Sequence, residues 1–113
     1  MLVSGSFNVL VNAVADDLGI ALRKANTLLE FDDHGAFHAI HTSGDAKVAK
    51  LKHLERFCEE LGINITECAC IGDGANDEAM FAATGHGITF KGSELENQAW
   101  KTIGTLHDIQ TIL

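Results

Sequence analysis

Proline is absent from the 113 residues of this chain, so it contains no proline-rich linker and no cis-proline turn. Basic residues are scarce: Lys and Arg total 8 against 16 Asp and Glu, which gives a net charge of −8. A nucleic-acid binder needs clustered Lys and Arg, so nucleic acid is excluded as a partner class, and so is a basic membrane-surface helix. No apolar run approaches the ~20 residues that a membrane span requires.

Cysteine is rare as well. Cys58, Cys68 and Cys70 are odd in number and lie within apolar patterns, which is typical of reduced thiols in a cytoplasmic protein. Cys68 and Cys70 do not form a Cys-x-x-Cys pair and there is no second cluster, so small apolar residues of a buried strand are favoured over a zinc site. The opening residues have no basic region and too short an apolar run for a signal peptide. We therefore expect a cytoplasmic location.

The overall composition, 46% hydrophobic and 21% charged, is that of a folded protein. The length predicts a single domain over residues 1–113. Short apolar strands alternate with helical patterns, which predicts an α/β fold with a mainly parallel sheet and a β-hairpin. The predicted elements are a strand over 1–3, a helix marked by apolar residues 9, 10, 13, 14 and 18 and ended by Gly19, a hairpin turning at 32–35, a helix over 45–61 ended by Gly62, a strand over 67–71, a helix over 76–83, a strand over 87–90, a helix from Ser93 toward Trp100, a strand at 102–103 and a helix over 106–113.

The most informative segment is IGDGANDEAM at residues 71–80. A strand runs into it and a helix follows, so Asp73 lies on the loop and Asp77 at the start of the helix. Two carboxylates at a strand end suit a hard cation such as Mg²⁺, and a helix N-terminus favours phosphate. In the alternative interpretation, Asn76 or Asp77 only caps the helix and Asp73 is an exposed turn residue.

The sequence GDGAND at 72–77, followed by Met80, resembles the fourth motif of the haloacid dehalogenase (HAD) superfamily of phosphotransferases, and most of all its phosphoserine phosphatase-like members. VSGSF at 3–7 is similar to the second motif of that family. Other landmarks follow in the same order: ANTL at 25–28, GINI at 62–65 and GHGI at 85–88. The resemblance implies a three-layer Rossmann-like core, hydrolysis of phosphomonoesters and a Mg²⁺ cofactor.

The resemblance also implies which residues contact phosphate. Ser4 would hydrogen-bond the transferring phosphoryl oxygens, with help from the Gly5 N–H, and Asn76 would orient phosphate or substrate. Lys50 matches the third-motif lysine by its distance from the fourth motif, and it would neutralise the phosphate. Lys47 lies one helical turn away and is the alternative.

The resemblance assigns roles to two pairs of acidic residues, of which one pair is present in this sequence and the other is missing. Asp73 would bind Mg²⁺ directly, and Asp77 would hold a metal-bound water or Lys50. The first motif, DxDx(T/V), is absent, and with it the aspartate nucleophile and the central strand that carries it in the family. Asp16-Asp17, Asp32-Asp33 and Asp45 do not replace it, because none of them forms Asp-x-Asp after an apolar strand.

These features leave three functional interpretations. In the first, the chain is the second half of a Mg²⁺-dependent phosphomonoester phosphatase, acting on a phosphorylated small molecule and inactive alone, with a complementing chain supplying the nucleophile. In the second, it is a non-catalytic domain that binds phosphate or Mg²⁺ or serves in an interaction. In the third, it is a gene fragment that folds but has no selected role. The loss of a central strand would leave unpaired strand edges, and a homodimer is one way to cover them.

Overall fold

The computed structural model describes residues 1–42 and 44–113, which divide into two compact units, Met1–Phe57 and Cys58–Leu113. The single domain expected from the length stays a prediction. Helices alternate with strands, and three of the four strand pairings found among the described residues are parallel. This confirms the α/β class. The elements are β1 Leu2–Phe7, α1 Asn8–Leu18, β2 Arg23–Phe31, β3 Phe37–Thr42, α2 Ala46–Leu61, β4 Cys70–Ile71, α3 Glu78–Thr84, β5 Gly87–Phe90, β6 Lys101–Ile103 and α4 Ile109–Ile112.

The N-terminal unit contains a three-stranded sheet in the order β1-β2-β3. β1 and β2 are parallel and are joined through α1, which packs against both strands. β2 and β3 form the predicted antiparallel hairpin. Its turn is closed by Asp32, whose Oδ1 accepts the N–H groups of His34 and Ala36, each at 2.9 Å.

Strand β1 is longer than the prediction. We expected it to end before Ser4, but it continues to Phe7, because Ser4 still pairs with Ala25 of β2. The register then shifts between Ser4 and Phe7. Ser4 and Gly5 therefore lie inside the strand and not on a loop behind it.

Helix α1 ends at Gly19, as predicted, in a left-handed conformation with φ 68°. Its buried residues are Val11 and Ala15, which lie one turn apart on the same face. The apolar residues that marked the helix in the sequence lie elsewhere on it and are exposed: Val9, Leu10, Val14 and Leu18.

Helix α2 runs across the division between the two units. Its start is fixed by Asp45, whose Oδ1 accepts the Lys47 N–H at 2.9 Å. It ends at Gly62, which has a φ of 66°, so both predicted boundaries are confirmed. The helix buries Leu54, Phe57 and, unusually for a charged residue, Lys50.

The C-terminal unit contains a second three-stranded sheet, all parallel, in the order β4-β5-β6. Helix α3 packs against β4 and β5. Strand β4 is shorter than the predicted 67–71, because Ile65–Glu67 forms a 3₁₀ turn. That turn is held by a capping box in which Asn64 Oδ1 accepts the Thr66 N–H and the Glu67 carboxylate accepts the Asn64 N–H.

The predicted helix from Ser93 toward Trp100 is wrong, because this segment forms a series of turns. The Glu96 carboxylate accepts the N–H of Gly92, at 3.3 Å, rather than that of Ser93. The Ser93 hydroxyl donates to the Asp73 carbonyl at 3.0 Å and thereby connects the segment to the loop after β4. Within residues 1–42 and 44–113, no helix has both the length and the apolar character needed to cross a membrane.

Candidate functional site

The candidate site is built on the loop that follows β4, at the carboxyl end of the parallel sheet of the C-terminal unit. Gly72 still donates its N–H to the Ile88 carbonyl at 3.1 Å, so the backbone leaves the sheet only after this residue. Asp73 is the next residue and is exposed. The carboxyl ends of parallel strands are the usual place for ligands in α/β sheets, and the sequence correctly predicted a loop at this position.

The second carboxylate, Asp77, fixes the loop from inside. It is only 4% exposed, and its Oδ2 accepts the N–H groups of Asp73 and Gly74 at 3.2 and 3.4 Å. Gly72 is required beside it, since a Cβ there would overlap the Asp77 side chain. Asp77 is also the first residue before α3, but it makes no side-chain cap to that helix. Its side chain instead caps the 3₁₀ turn Ala75–Asp77.

Three further side chains, which the sequence reasoning missed, hold the loop from outside. Thr89 Oγ1, on β5, donates to the Gly72 carbonyl at 2.7 Å, and Ser93 donates to the carbonyl of Asp73. The Glu94 carboxylate accepts the N–H of the first residue of the 3₁₀ turn at 2.6 Å. Ser93 gave no separate signal, because its spacing to Glu96 is also that of a helix start.

Asn76 lies in the middle of the same 3₁₀ turn and is half-buried. The structure therefore brings three of the predicted site residues, Asp73, Asn76 and Asp77, onto one short and well-anchored segment. Of these, only Asp73 is exposed.

The other predicted site residues belong to the N-terminal unit. Ser4 is half-buried in β1, where its Oγ accepts the Ser6 N–H at 3.1 Å. The Gly5 carbonyl accepts the Thr27 hydroxyl at 3.1 Å, and the residue itself is exposed. On α2, Lys50 is 8% exposed.

Burial separates the two candidate lysines of α2. Lys50 is buried, whereas Lys47 is half-buried. A lysine that serves only as a solvated helix residue keeps its charged end in water. The burial of Lys50 favours it over Lys47 as the third-motif lysine, in agreement with the spacing.

The resemblance implies a bound Mg²⁺ ion, and few side chains could serve as its ligands. In the described part of the chain, no group of three His, Cys, Asp or Glu side chains is placed to hold a metal. The Asp77 oxygen that faces the loop is used by two N–H groups. Magnesium is commonly held by one or two carboxylates together with phosphate and water, so Asp73 fits as a single protein ligand.

Three of the other acidic candidates make structural contacts. Asp16 forms an ion pair with Arg23 at 2.7 Å. Asp32 closes the hairpin turn, and Asp45 begins α2. The absence of a replacement for the first motif stays a prediction.

Comparison with known proteins gives the family. A family model of haloacid dehalogenase-like hydrolases matches residues 36–103, which is more than half of the chain. The chain belongs to the haloacid dehalogenase-like hydrolases. The motif-based recognition of the family is thus confirmed.

Within this family the similarity is to phosphoserine phosphatases. The chain is 31% identical to that of Streptomyces coelicolor over 111 residues, covering 98% of this chain and 27% of the relative. It is 38% identical to that of Streptococcus thermophilus over 91 residues, covering 79% of this chain and 41% of the relative. A phosphoserine phosphatase crystal structure in apo form superimposes with a TM-score of 0.83 at 30% identity, over 98% of this chain and 56% of that one. A structure described as a phospho-aspartyl intermediate analogue of phosphoserine phosphatase superimposes with a TM-score of 0.81 at 29% identity, over 98% of this chain and 54% of that one.

The haloacid dehalogenase-like chain thus spans well under two thirds of the length of these relatives, between 27% and 56% in the examples above. The fold and the family are shown by the match.

Proposed function

We propose that this chain forms the phosphate- and Mg²⁺-binding part of a cytoplasmic phosphomonoester phosphatase with a phosphoserine-like substrate. The observation that carries the proposal is the anchored loop after β4, which presents the exposed Asp73 carboxylate at the carboxyl end of the sheet. Its similarity to phosphoserine phosphatases supports the substrate class. The odd number of cysteines, Cys58, Cys68 and Cys70, supports the location, because cysteine thiols are kept reduced in the cytoplasm.

Each residue has a distinct task in this proposal. When bound, Mg²⁺ supplies positive charge to the phosphoryl group. Asp73 holds the ion, while Asp77 keeps the loop in place by accepting the loop N–H groups. The phosphate-contacting residues are assigned by motif: Ser4, Gly5, Lys50 and Asn76.

The nucleophile has to come from another segment or another chain. In the family the nucleophile is the first aspartate of DxDx(T/V), and this sequence contains no such motif. Asp16, Asp32 and Asp45 are engaged in structural contacts. Since residues that act as a catalytic unit fail together, we expect no measurable turnover from the 113 residues alone.

A second candidate function, without catalysis, is favoured by the edge strands of the two sheets. Within the described residues, β1 and β4 each form one edge of their three-stranded sheet. Edge strands present unpaired N–H and C=O groups, which favour pairing with another strand. In this candidate function the chain pairs with a complementing chain or with a second copy of itself. It still binds phosphate but catalyses no reaction. Sedimentation that shows only monomer at high concentration would exclude the second copy.

The proposal is tested by two measurements on the same protein. The first is Mg²⁺ binding by calorimetry in the presence of inorganic phosphate, and the second is phosphate release from a panel of phosphomonoesters that includes phosphoserine. The variant is Asp73→Asn. Its matched control is Asp33→Asn, an equally acidic and exposed residue of the hairpin turn.

We expect Mg²⁺ binding that disappears in Asp73→Asn and persists in Asp33→Asn, without turnover in any of the three proteins. Binding that is equal in both variants would overturn the assignment of Asp73. Turnover that depends on Mg²⁺ and is lost in Asp73→Asn would retain the site but show that the chain has its own nucleophile.

A further inference from the structure

Two cysteine thiols face each other inside the C-terminal unit. Cys58 lies in the last part of α2, and Cys68 directly follows the 3₁₀ turn Ile65–Glu67. Their Sγ atoms are 3.6 Å apart. Neither cysteine is in a disulfide, and both are buried, with 4% and 7% of their surface exposed. The two side chains therefore already point at one another in the reduced protein.

One of the two cysteines borders a surface pocket. Cys68 lines a pocket of about 300 Å³ together with His86 and Trp100. Trp100 is 45% exposed, so the pocket communicates with solvent. Cys58 is not part of the pocket lining. Of the two cysteines, Cys68 is therefore the one beside which a small oxidant in the pocket would lie.

The third thiol, Cys70, is in a different environment. Its Sγ lies 3.5 Å from Thr84 Oγ1, and it does not line the pocket. Burial raises the pKa of the Cys70 thiol, and the negative charge of Asp77 raises it further. Because its sulfur contacts Thr84 and it does not line the pocket, Cys70 is a suitable internal control.

From this geometry we infer that Cys58 and Cys68 form an oxidation site, in which a peroxide converts the two thiols into a disulfide. In the first step the Cys68 sulfur attacks the peroxide O–O bond, which gives a sulfenic acid and one water. In the second step the Cys58 sulfur attacks the Cys68 sulfur, and the sulfenic hydroxyl leaves as a second water. In sum, two thiols and one hydrogen peroxide give one disulfide and two waters.

The contact is close enough for the second step. Bonded sulfur atoms are about 2.05 Å apart, so the two side chains need only a small approach from 3.6 Å. The disulfide would join the end of α2 to the segment that leads into β4 and the Asp73 loop. Oxidation is therefore expected to raise the thermal midpoint of the C-terminal unit, since a cross-link restricts the unfolded chain.

The test uses the complete chain, treated with hydrogen peroxide under native conditions and then denatured and labelled with a maleimide. The expected result is a fall from three labelled thiols to one, with a mass loss of two hydrogen atoms before labelling. Residues 57–90 contain no Lys or Arg, so a Glu-specific protease is needed to separate Cys58 from Cys68. The expected product links the fragment with Cys58 to the fragment that starts at Cys68.

Cys68 and Cys70 remain in the same fragment, so variants decide between them. Cys70→Ser should still form the linked product and keep no free thiol. Cys58→Ser should form no disulfide and accumulate a sulfenic acid at Cys68 that dimedone traps. Oxidation in urea should give mixed pairings, because the contact between the two thiols depends on the fold.

An unchanged thiol count would overturn the inference. So would loss of the linked product in Cys70→Ser, or a disulfide that joins two chains. If Cys58→Ser does not fold, the products of the unmodified chain and of Cys70→Ser decide the question alone.

Discussion

The Asp77 side chain occupies the space beside Gly72 in which every other residue would place its Cβ. An ideal Cβ at position 72 would lie 2.6 Å from the Asp77 Cβ and closer still to the carboxyl group. The same carboxyl group accepts the N–H groups of the next two residues. The first glycine and the last aspartate of GDGAND are thus two parts of one structural feature, which sets the position of Asp73.

Replacing Gly72 by alanine tests this relationship. The added methyl group must displace the buried Asp77 or the loop, and overpacking of this kind costs about 1–3 kcal/mol. We expect Gly72→Ala to lower the free energy of unfolding by that amount in urea titrations followed by circular dichroism. Gly104→Ala is the matched control, because its nearest neighbour would be at an ordinary contact distance of 3.4 Å. Equal stability of the two variants would contradict the packing argument.

A hydrogen bond from β5 holds the same glycine. The Thr89 side chain, on a fully buried residue, donates to the Gly72 carbonyl at 2.7 Å. Thr89→Val keeps the shape but removes the donor, so we expect the free energy of unfolding to fall by about 1 kcal/mol. Thr89→Ser retains the hydroxyl and should restore the protection of the Gly72–Asp77 amides in hydrogen exchange. If Thr89→Val leaves this protection unchanged, the bond does not position the loop.

Local patterns in the sequence predicted much of the fold. Gly19 and Gly62 mark helix ends because a left-handed residue there is best supplied by glycine, and both ends were found. The strand over 87–90 was found with the predicted bounds. These elements depend on neighbouring residues, so one sequence contains the necessary information.

The wrong predictions depended on partners far along the chain. Ser93 and Glu96 have the spacing of a helix start, but Ser93 bonds to a residue twenty positions earlier. β1 passes Ser4 because β2 pairs with it. Likewise, Asp73 and Asp77 have equivalent chemistry in the sequence, and only the burial of Asp77 shows that it supports the loop.

His53 should make the stability of the N-terminal unit depend on pH. Its Nδ1 is buried without a hydrogen-bond partner among the described atoms. Burial lowers the pKa of His53 below its ordinary value of 6.5, and the charges of Lys24 and Arg56 lower it further. Between these two pKa values the unfolded chain binds more protons, so stability falls as the pH decreases below 6.5.

The measurement is the free energy of unfolding from urea titrations at a series of pH values through this window. We expect His53→Gln to reduce the loss of stability on acidification, since glutamine does not titrate. His34→Gln, at an exposed turn position, should leave the pH dependence of the native sequence unchanged. A His53→Gln curve parallel to that of the native protein would refute the role of this histidine.

The choice between Lys50 and Lys47 can be made by phosphate binding. Lys50 is 8% exposed and has the third-motif spacing, so it is expected to contact phosphate, whereas Lys47 is half-buried. A hydrogen bond to a charged group contributes about 1.5–3 kcal/mol. We therefore expect Lys50→Met to weaken binding of inorganic phosphate with Mg²⁺ by at least about tenfold.

Lys47→Met provides the matched control, because both variants remove one lysine from the same helix and replace it with a side chain of similar length. Its phosphate affinity, measured by NMR titration, should stay close to that of the native chain. Circular dichroism before each titration separates loss of the fold from loss of the contact. If Lys47→Met weakens binding and Lys50→Met does not, the assignment of the two residues is reversed, because the third-motif role would then belong to the lysine one turn earlier.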